Sequence, residues 1–419
     1  MRMLMMHFDP LRRASARHGW LAGALLAWVL AAAPAWAGEG TVEVVHPMSL
    51  RDGANIQGPL VAGADGLYYG TAVRGGRHDL GTVFRILADG QLEVLHHFRG
   101  APDDGDRPVG LARGADGALY GLTLAGGAFD DGTAYRIDAN GKLKLLHSFE
   151  SAVDGRGPQG QLLLASDGRF YGATDFGGSD DQGTIFRMRP NGQVQTLHSF
   201  TFSGGGGRSP TGSLVEGDDG LLYGTTNSGG PEGYGIVFKM RRHGGSPPQM
   251  LHNFGRKGRN GTALKALTKG PDGRFYGVIQ ADRTDNPRGL VYRIDAAGHY
   301  EVFYSFTQPV EAHGKFPFQE LLLGRDGAFY GSTTQGGEFT TGTLFRLTLD
   351  GELTTLHSFQ VPGDEGWFAS NPLVEVSDGE FLGATSLGST ADQGAVYRLR
   401  IAPALTTPTA ESRGLVRNR

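Results

Sequence analysis

The residues of this sequence best suited to chemistry are acidic, basic and aromatic side chains in glycine-rich segments. Paired aspartates could bind Ca²⁺, because hard divalent cations prefer oxygen ligands. Neither of the two clearest pairs matches the Asp-x-Asp-x-Asn-Gly pattern of a calcium loop, so solvated acidic turns are the alternative interpretation. The pairs are Asp130 with Asp131 and Asp180 with Asp181.

One segment interrupts the glycine-rich pattern with alternating charges. Asp282, Arg283, Asp285 and Arg288 could together clamp an anion, or they could form a local cluster of salt bridges. Trp367 could offer a flat platform to a sugar or an apolar ligand, or it could pack onto its own loop.

Other polar side chains are weaker candidates. Asp103 and Asp104 form another acidic segment that we include among the binding candidates. His78, Glu311 and His313 could supply a metal ligand or a general base, but His78 lies far from the other two in the sequence. No Ser–His–Asp triad, phosphate loop or dinucleotide fingerprint accompanies them. We therefore predict no catalytic residues and no confident metal site, with calcium as the one cofactor left open.

The composition excludes several classes of protein. The chain has 419 residues, of which 69 are glycine and none is cysteine, and its net charge is −4. Without cysteine it can form no disulfide scaffold, thiolate zinc site, Fe–S cluster or cysteine nucleophile. The slight negative charge gives no reason to expect nucleic acid as a partner.

The N-terminal segment has the pattern of a secretory signal. Three arginines precede a 14-residue apolar run at residues 20–33, which is followed by the cleavage-site pattern Ala35-Trp36-Ala37. We predict a signal peptide over residues 1–37 and a product in the periplasm or outside the cell; an uncleaved anchor is the alternative. No second apolar run follows, so we expect no stable membrane span after cleavage. The arginines are Arg12, Arg13 and Arg17.

A repeat of 51 to 54 residues governs the rest of the chain. An Asp-Gly pair, an aromatic or leucine pair and a glycine open each copy, and Gly-Thr with an aromatic and a basic residue follows. A second turn and Leu-His-Ser-Phe complete the copy. The glycines that mark the seven copies are Gly70, Gly121, Gly172, Gly224, Gly277, Gly331 and Gly383.

Each copy reads as four short antiparallel strands, which we call a, b, c and d. Asp-Gly and Asn-Gly between apolar runs predict tight two-residue turns in which both central residues have positive φ. Seven such units predict an all-β fold, a seven-bladed β-propeller over residues 38–402, with an open solenoid as the alternative.

The two ends of the repeat array favour a closed ring. The last copy stops after its strand c, at residues 397–399, whereas residues 42–48 resemble a strand d that precedes the first copy. An N-terminal strand completing the last blade would pair edges that otherwise stay open. Residues 403–419 are expected to form a flexible polar tail.

The repeat resembles the GloVer tandem-repeat family. Leu222-Tyr223-Gly224-Thr225-Thr226, followed by Gly229-Gly230 and Phe238, carries the resemblance, which extends over about residues 41–400. The resemblance implies export and a propeller-like array, but no established activity and no catalytic residues. Members of the family often end in an anchoring segment, whereas residues 403–419 contain no apolar helix.

Two repeated polar positions are interpreted as structural pegs between blades. Equivalent positions of neighbouring blades lie too far apart to bind one metal ion. Arg85 and His96 are expected on the same blade face. The strand-d position holds His46, His96, His147, His198, His252, Tyr304 and His357. The strand-c position holds Arg85, Arg136, Arg187, Lys239, Arg293, Arg346 and Arg398.

Function is expected where the connections are long and irregular. The b–c and d–a connections are longer than the hairpins and emerge on one face of a propeller, which we call the loop face. We predict a monomeric binding scaffold that holds a glycan, peptide or envelope component there. The alternative is a propeller lyase or hydrolase with a metal-assisted acidic and histidine site at the channel mouth. Fold alone does not choose between them.

Overall fold

The computed structural model shows an all-β, seven-bladed propeller, as the repeat predicts. Over the residues described, no helix combines the length and the apolar character needed to cross a bilayer. The structure describes residues 40–202, 206–210, 213–255, 262–264, 266–281, 288–307, 310–361, 363–369 and 371–401.

Every blade is one antiparallel sheet with its strands in the order a, b, c, d. In blades 1, 4, 5 and 6 strand a is divided into two short segments that both pair with strand b. Blade 1 comprises β2(Ala54–Ile56), β3(Val61–Ala62), β4(Tyr68–Arg74), β5(Thr82–Ile86) and β6(Leu92–His97). Blade 2 comprises β7(Gly105–Arg113), β8(Leu119–Gly126), β9(Thr133–Ile137) and β10(Leu143–Ser148). Blade 3 comprises β11(Arg156–Leu164), β12(Phe170–Phe176), β13(Thr184–Met188) and β14(Val194–Ser199).

The remaining blades repeat this arrangement. Blade 4 comprises β15(Gly207–Pro210), β16(Val215–Glu216), β17(Leu221–Gly229), β18(Ile236–Arg241) and β19(Gln249–Asn253). Blade 5 comprises β20(Thr262–Leu264), β21(Thr268–Lys269), β22(Phe275–Ala281), β23(Leu290–Ile294) and β24(Tyr300–Ser305), and the short helix α1(Val310–His313) follows it. Blade 6 comprises β25(Lys315–Pro317), β26(Leu322–Leu323), β27(Phe329–Gln335), β28(Thr343–Leu347) and β29(Leu353–Ser358). Blade 7 comprises β30(Val374–Ser377), β31(Glu380–Thr385), β32(Ala395–Ile401) and, as its strand d, β1(Gly40–Pro47).

The ring closes through the N-terminal strand, and this prediction is confirmed. Strand β1 pairs antiparallel with β32, from Gly40 opposite Ile401 to Pro47 opposite Ala395. The pairing gives blade 7 its fourth strand and covers an edge that would otherwise expose unpaired N–H and C=O groups.

The hairpin turns differ from the predicted two-residue type. Between β3 and β4, Gly66 has a φ of 81°, but Asp65 is not among the residues with positive φ. The N–H of Gly66 donates to the carbonyl of Gly63 at 3.3 Å, and Gly63 in turn donates to Leu67. A type I turn followed by a left-handed glycine explains this geometry. The Asp65 carboxylate stabilises it by accepting from Leu67 N–H and from the hydroxyl of Tyr69.

The glycine of each Tyr-Gly pair makes room for an aromatic ring of strand c. A Cβ added to Gly121 would lie 2.4 Å from the ring of Tyr135. The close neighbour of this glycine is therefore a side chain of the same sheet. The strand-c aromatic is Phe84, Tyr135, Phe186, Phe238, Tyr292, Phe345 or Tyr397, and all seven are buried in the core.

Neighbouring blades are joined by a backbone hydrogen bond near the start of strand a. The donor residue has a left-handed φ between 51° and 62°, and its N–H points to the b–c connection of the preceding blade. The bonds run from Arg107 to Leu80 (3.0 Å), Gly157 to Asp131 (2.9 Å), Ser209 to Gln182 (2.9 Å) and Phe316 to Arg288 (2.7 Å).

Candidate functional site

The central channel is lined by one repeated position of strand a. In each blade a buried leucine in or directly beside strand a packs into the core, and the residue just before that leucine lines the channel. The sequence repeat does not reveal this ring, because the residue type at this position differs from blade to blade. The seven ring residues are Pro59, Gly110, Gln161, Ser213, Ala266, Glu320 and Pro372.

The upper part of the channel is a polar cavity of about 290 Å³. Side-chain amides dominate its polar lining. It opens toward the loop face, because Asp175 and Asn227 lie near the ends of β12 and β17 that lead into b–c connections. The amide side chains are Gln57, Gln159, Gln161, Asn227 and Gln319.

Part of this lining is fixed by hydrogen bonds between blades. The N–H of Gln161 donates to Oγ of Ser213 at 3.1 Å, and Nε2 of Gln161 donates to the carbonyl of Leu111. The ring residues of blades 3 and 4 are thus tied together, and Gln161 is also held against blade 2. Such preorganised amides suit a polar ligand.

Glu320 is the one charged member of the ring. Among the described residues that line the channel cavities there is no Lys, Arg or His, and no described residue pairs with the Glu320 carboxylate. The side chain is half-buried, and burial raises its pKa to about 7. Burial also raises the pKa of Asp175 at the cavity mouth. Glu320 thus has no counter-charge among the described residues, whereas Asp175 is close to the guanidinium of Arg156 and accepts a hydrogen bond from Gln159 at 3.4 Å.

A second cavity, of about 310 Å³, continues the channel toward the opposite face. Pro59, Gln161, Glu320 and Pro372 line both cavities, so the two meet at the ring. Below the ring the lining is aliphatic, with side chains of strands β3, β26 and β30 and of the leucines that follow the ring residues. The channel is thus polar on the loop face and apolar on the other.

The loop face also carries exposed apolar side chains. Eight of the eleven large hydrophobic side chains that are exposed among the described residues lie in b–c or d–a connections, or at the strand ends that lead into them. Their exposed fractions lie between 38% and 67%. Exposed apolar side chains that gather on one face are a feature of interaction surfaces. These residues, which we call the loop-face apolar set, are Leu50, Phe129, Val153, Phe176, Phe202, Phe339, Val361 and Leu387.

A mixed-charge pocket of about 350 Å³ lies on the loop face between blades 2 and 3. Its lining includes Arg107, Asp131 and Phe176, together with Asp175, which it shares with the channel cavity. The guanidinium of Arg156 lies 4.8 Å from the centre of the Phe176 ring. Charged and aromatic groups therefore continue outward from the channel mouth.

The paired aspartates stabilise the b–c connections. Oδ1 of Asp130 accepts from Gly126 N–H at 2.9 Å, and Oδ1 of Asp181 accepts from Gly177 N–H at 2.7 Å. Oδ2 of Asp131 accepts from Ser151 N–H, and Oδ2 of Asp180 from Phe202 N–H. In the part of the chain that the structure describes, no three His, Asp or Glu side chains are grouped to hold a metal ion.

The other predicted binding residues are dispersed. Asp103 is exposed, whereas Asp104 is only 3% exposed and accepts hydrogen bonds from His96, Arg99 N–H and Gly105 N–H. The structure thus presents Asp103 to solvent and encloses Asp104, whose carboxylate already has three donors.

The segment with alternating charges, at residues 282–288, and Trp367 lie in different parts of the fold. Arg288 donates to the carbonyl of Thr307. Trp367 is half-buried and forms a bridge with Leu387, and a Cβ on Gly388 would touch its ring. Trp367 therefore packs onto the b–c connection of its own blade. Asp282, Arg283 and Asp285 lie outside the described residues.

The strand-d histidines link consecutive blades. Where an acidic residue follows the histidine by six to eight positions in the sequence, Nε2 of the histidine pairs with the carboxylate of that residue. His198 has no acidic residue at that spacing, and burial lowers its pKa. The pairs are His46–Asp52 (3.4 Å), His96–Asp104 (2.9 Å), His147–Asp154 (2.6 Å) and His357–Glu365 (2.9 Å).

The strand-c basic residues mostly bond within their own blade. Among the described contacts, only Arg85 and Lys239 donate to the next blade, to the carbonyls of Ala139 and Ala296. The within-blade partners follow: Arg85–Glu93, Arg136–Asp116, Arg187–Gln195, Arg293–Glu301, Arg346–Asp326 and Arg398–Glu380.

His78, Glu311 and His313 do not form a group. His78 and Glu311 are exposed on different blades. His313 accepts or donates a hydrogen bond with the hydroxyl of Tyr304 at 2.6 Å, and burial lowers its pKa. His252 stacks on Tyr300 of the next blade, with 4.0 Å between the ring centres.

Known structures share the fold. An extracellular domain assigned to a one-component system of B. thetaiotaomicron superposes with a TM-score of 0.56 and 11% identity, over 86% of this chain and 42% of that chain. One assigned to a hybrid two-component system of the same organism gives 0.56 and 10%, over 87% and 41%. This chain thus spans about two fifths of each. At these identities the likeness shows the fold alone.

A structure described as a gluconolactonase gives a TM-score of 0.44 at 14% identity, over 86% of this chain and 92% of that chain, which is too low to carry an argument. No curated protein matches this sequence. The model of the Gloeobacter/Verrucomicrobia repeat matches residues 36–226 and 209–411, and this range includes every blade. The chain is a member of the Gloeobacter/Verrucomicrobia repeat family.

Proposed function

We propose that this protein is an exported binding scaffold that holds a polymer of the cell envelope, a glycan or a peptide, across its loop face. One observation carries the proposal. The loop-face apolar set lies on the face toward which the channel opens, and the polar lining of this channel consists mainly of amides and carboxyl groups. Apolar side chains around a few placed polar groups are the usual composition of a binding site.

The arrangement suits an extended ligand better than a small one. The channel cavity of about 290 Å³ is at the lower limit of small-molecule pockets, which hold about 300–1,000 Å³. The mixed-charge pocket adjoins it through Gln159 and Asp175. A polymer could place one unit in the channel and neighbouring units over Phe176 and the pocket.

Export is the cellular context that we propose for this binding. The basic, apolar and Ala-x-Ala pattern of residues 1–37 supports it. The two propellers from B. thetaiotaomicron are extracellular domains, which agrees with the same location. Mass spectrometry of the N-terminus of secreted material tests this part, since cleavage is expected after Ala37.

A thermal-shift screen of the purified protein tests the binding function. The probes are soluble peptidoglycan fragments, neutral and amino-sugar oligosaccharides, and short peptides. A ligand at 100 times its Kd should add about 2.7 kcal/mol to the free energy of unfolding. Stabilisation by a glycan or peptide class supports the proposal, and no stabilisation by any of them contradicts it.

The enzymatic alternative remains a prediction for a metal-assisted lyase or hydrolase at the channel mouth. The same oligosaccharides and fragments, incubated with the protein with and without chelator, test it by chromatography of the products. Chelator-sensitive cleavage would establish that alternative.

A further inference from the structure

We propose that the central channel binds a protonated primary amine of its ligand through the carboxylate of Glu320. This inference rests on the proposed function and deepens it, because it names the charge of the unit that enters the channel. The relevant ligands are those with an ammonium group on a polar body, such as a free amino sugar or the side chain of a basic amino acid.

The first argument for this proposal is the position of Glu320 in the channel. It belongs to the ring of residues that precede the strand-a leucines, and it lines both channel cavities. A group at this point meets any ligand that enters from the loop face before the channel turns apolar. The other six ring residues are uncharged, so Glu320 marks one side of the ring.

The second argument for this proposal is that the Glu320 carboxylate has no described cationic partner. The described residues that line the two cavities include two carboxyl groups, Glu320 and Asp175, and no cationic side chain. Asp175 also lines the adjoining pocket with Arg156, so Glu320 is the one of the two without a described counter-charge. A buried carboxylate is unfavourable unless a cation or several donors stabilise it. An ammonium group from the ligand would supply this partner and form a charge-assisted hydrogen bond.

The third argument for this proposal is the set of side-chain amides that surround the cavity. Gln57, Gln159 and Gln319 place donors and acceptors around the cavity without adding charge. Hydroxyl or amide groups of a ligand can bond to them while its ammonium group faces Glu320. The cavity of about 290 Å³ admits one sugar ring or one amino-acid side chain.

Calorimetric titration of the purified full chain at pH 7 tests the proposal with two matched probe pairs. Glucosamine is compared with N-acetylglucosamine, and Nα-acetyl-lysine amide with its Nε-acetylated form. Each pair differs in the charge of one nitrogen, and the two pairs distinguish a sugar amine from a side-chain amine. We expect at least one amine to bind ten times more tightly than its acetylated partner.

Three variants test which residue is responsible for the preference for the amine. Glu320→Gln keeps the shape of the side chain and should abolish the preference for the amine. Asp350→Asn removes one exposed negative charge from the hairpin between β28 and β29, outside the loop face, and should leave the preference unchanged. Lys265→Ala is included because Lys265 precedes the ring residue Ala266 in the sequence and lies outside the described residues.

The outcomes separate this inference from the proposed function. Equal binding of amine and acetylated probes, absence of binding by either amine, or an amine preference that survives in Glu320→Gln overturns the inference. So does an amine preference that appears only in Lys265→Ala, because Lys265 would then be the resident partner of the carboxylate. In any of these cases the binding of larger envelope fragments, measured separately, still decides the proposed function.

Discussion

Nε2 of His96 lies 2.9 Å from Oδ2 of Asp104, across the junction between blade 1 and blade 2. His96 belongs to the outermost strand of one blade, and Asp104 directly precedes the innermost strand of the next. The same pairing recurs at three other junctions. A histidine repeat that resembles a set of metal ligands thus fixes how one blade follows another.

Asp104→Asn should destabilise the fold by about 2 kcal/mol at pH 7, since hydrogen bonds to a charged group contribute about 1.5–3 kcal/mol. Burial alone would raise the pKa of Asp104, but the hydrogen bond from His96 and the backbone donors lower it overall. The stabilisation is therefore present above the unfolded pKa of 3.8 and is lost as the pH falls through the lower folded value. Urea unfolding at several pH values measures this. Asp103→Asn is the control, and an equal loss in both variants would contradict the role of Asp104.

His252→Phe should make the protein less sensitive to mild acid. Burial lowers the pKa of His252 to about 4, from 6.5. Between these values the unfolded chain binds more protons, so stability falls as the pH falls from 6.5 to 4. Phenylalanine keeps a ring against Tyr300 and removes the titration. Melting temperatures over this pH range should show a smaller slope than in the wild type, whereas His78→Gln, at an exposed position, should not change the slope.

Tyr292→Phe should stabilise the protein by about 1 kcal/mol. The hydroxyl group of Tyr292 is buried and has no hydrogen-bond partner, and such a group is unfavourable by about 1–3 kcal/mol. Blades 1, 3, 4 and 6 carry phenylalanine at the equivalent position. The reverse substitution, Phe186→Tyr, should destabilise. Chemical unfolding of both variants checks the prediction, and a less stable Tyr292→Phe would show that the hydroxyl has a favourable role.

Arg107→Gly should stabilise the protein by about 1 kcal/mol, because a left-handed non-glycine residue is unfavourable by about 1–2 kcal/mol. Arg107 has a φ of 57°, and its guanidinium, which is 49% exposed, pairs with the Asp106 carboxylate, which is 20% exposed. Loss of this pair offsets only part of the gain, because solvent screens the guanidinium. Gly157 occupies the same position in blade 3 with a φ of 62° and open space around its Cα. Gly157→Ala should therefore destabilise by a similar amount. Melting curves of the two variants should shift in opposite directions.

The propeller and its closure could be predicted because they follow from the period of the sequence. Seven copies with four apolar runs each define the blades, and the displaced strand d at residues 42–48 defines the closure. The prediction of a two-residue turn was wrong because an Asp-Gly pair also fits a type I turn that is followed by a left-handed glycine. Asp65 favours that turn through hydrogen bonds to Leu67 and Tyr69, which lie beyond the two central residues.

The channel ring was missed because its residues differ from blade to blade. A repeat is recognised by the residues that its copies share. Here the copies share the buried leucine, whereas the ring residue that precedes this leucine varies. The signal was available: strand a is the innermost strand of a propeller blade, so the residue before each leucine faces the axis. Glu320 is the charged exception at that position. The pairing of Asp104 with His96 depends on the path of the d–a connection, which the repeat alone does not give.

Co-sedimentation with insoluble peptidoglycan sacculi tests the central claim, that the loop face binds an envelope polymer. The loop-face variant combines Phe176→Ser with Phe202→Ser. The control combines Met250→Ser with Val302→Ser, which are 43% and 41% exposed on the outer strands of blades 4 and 5. We predict that the wild type and the control bind equally and that the loop-face variant binds at least ten times more weakly. Equal binding by all three proteins, or absence of binding by the wild type, would contradict the account.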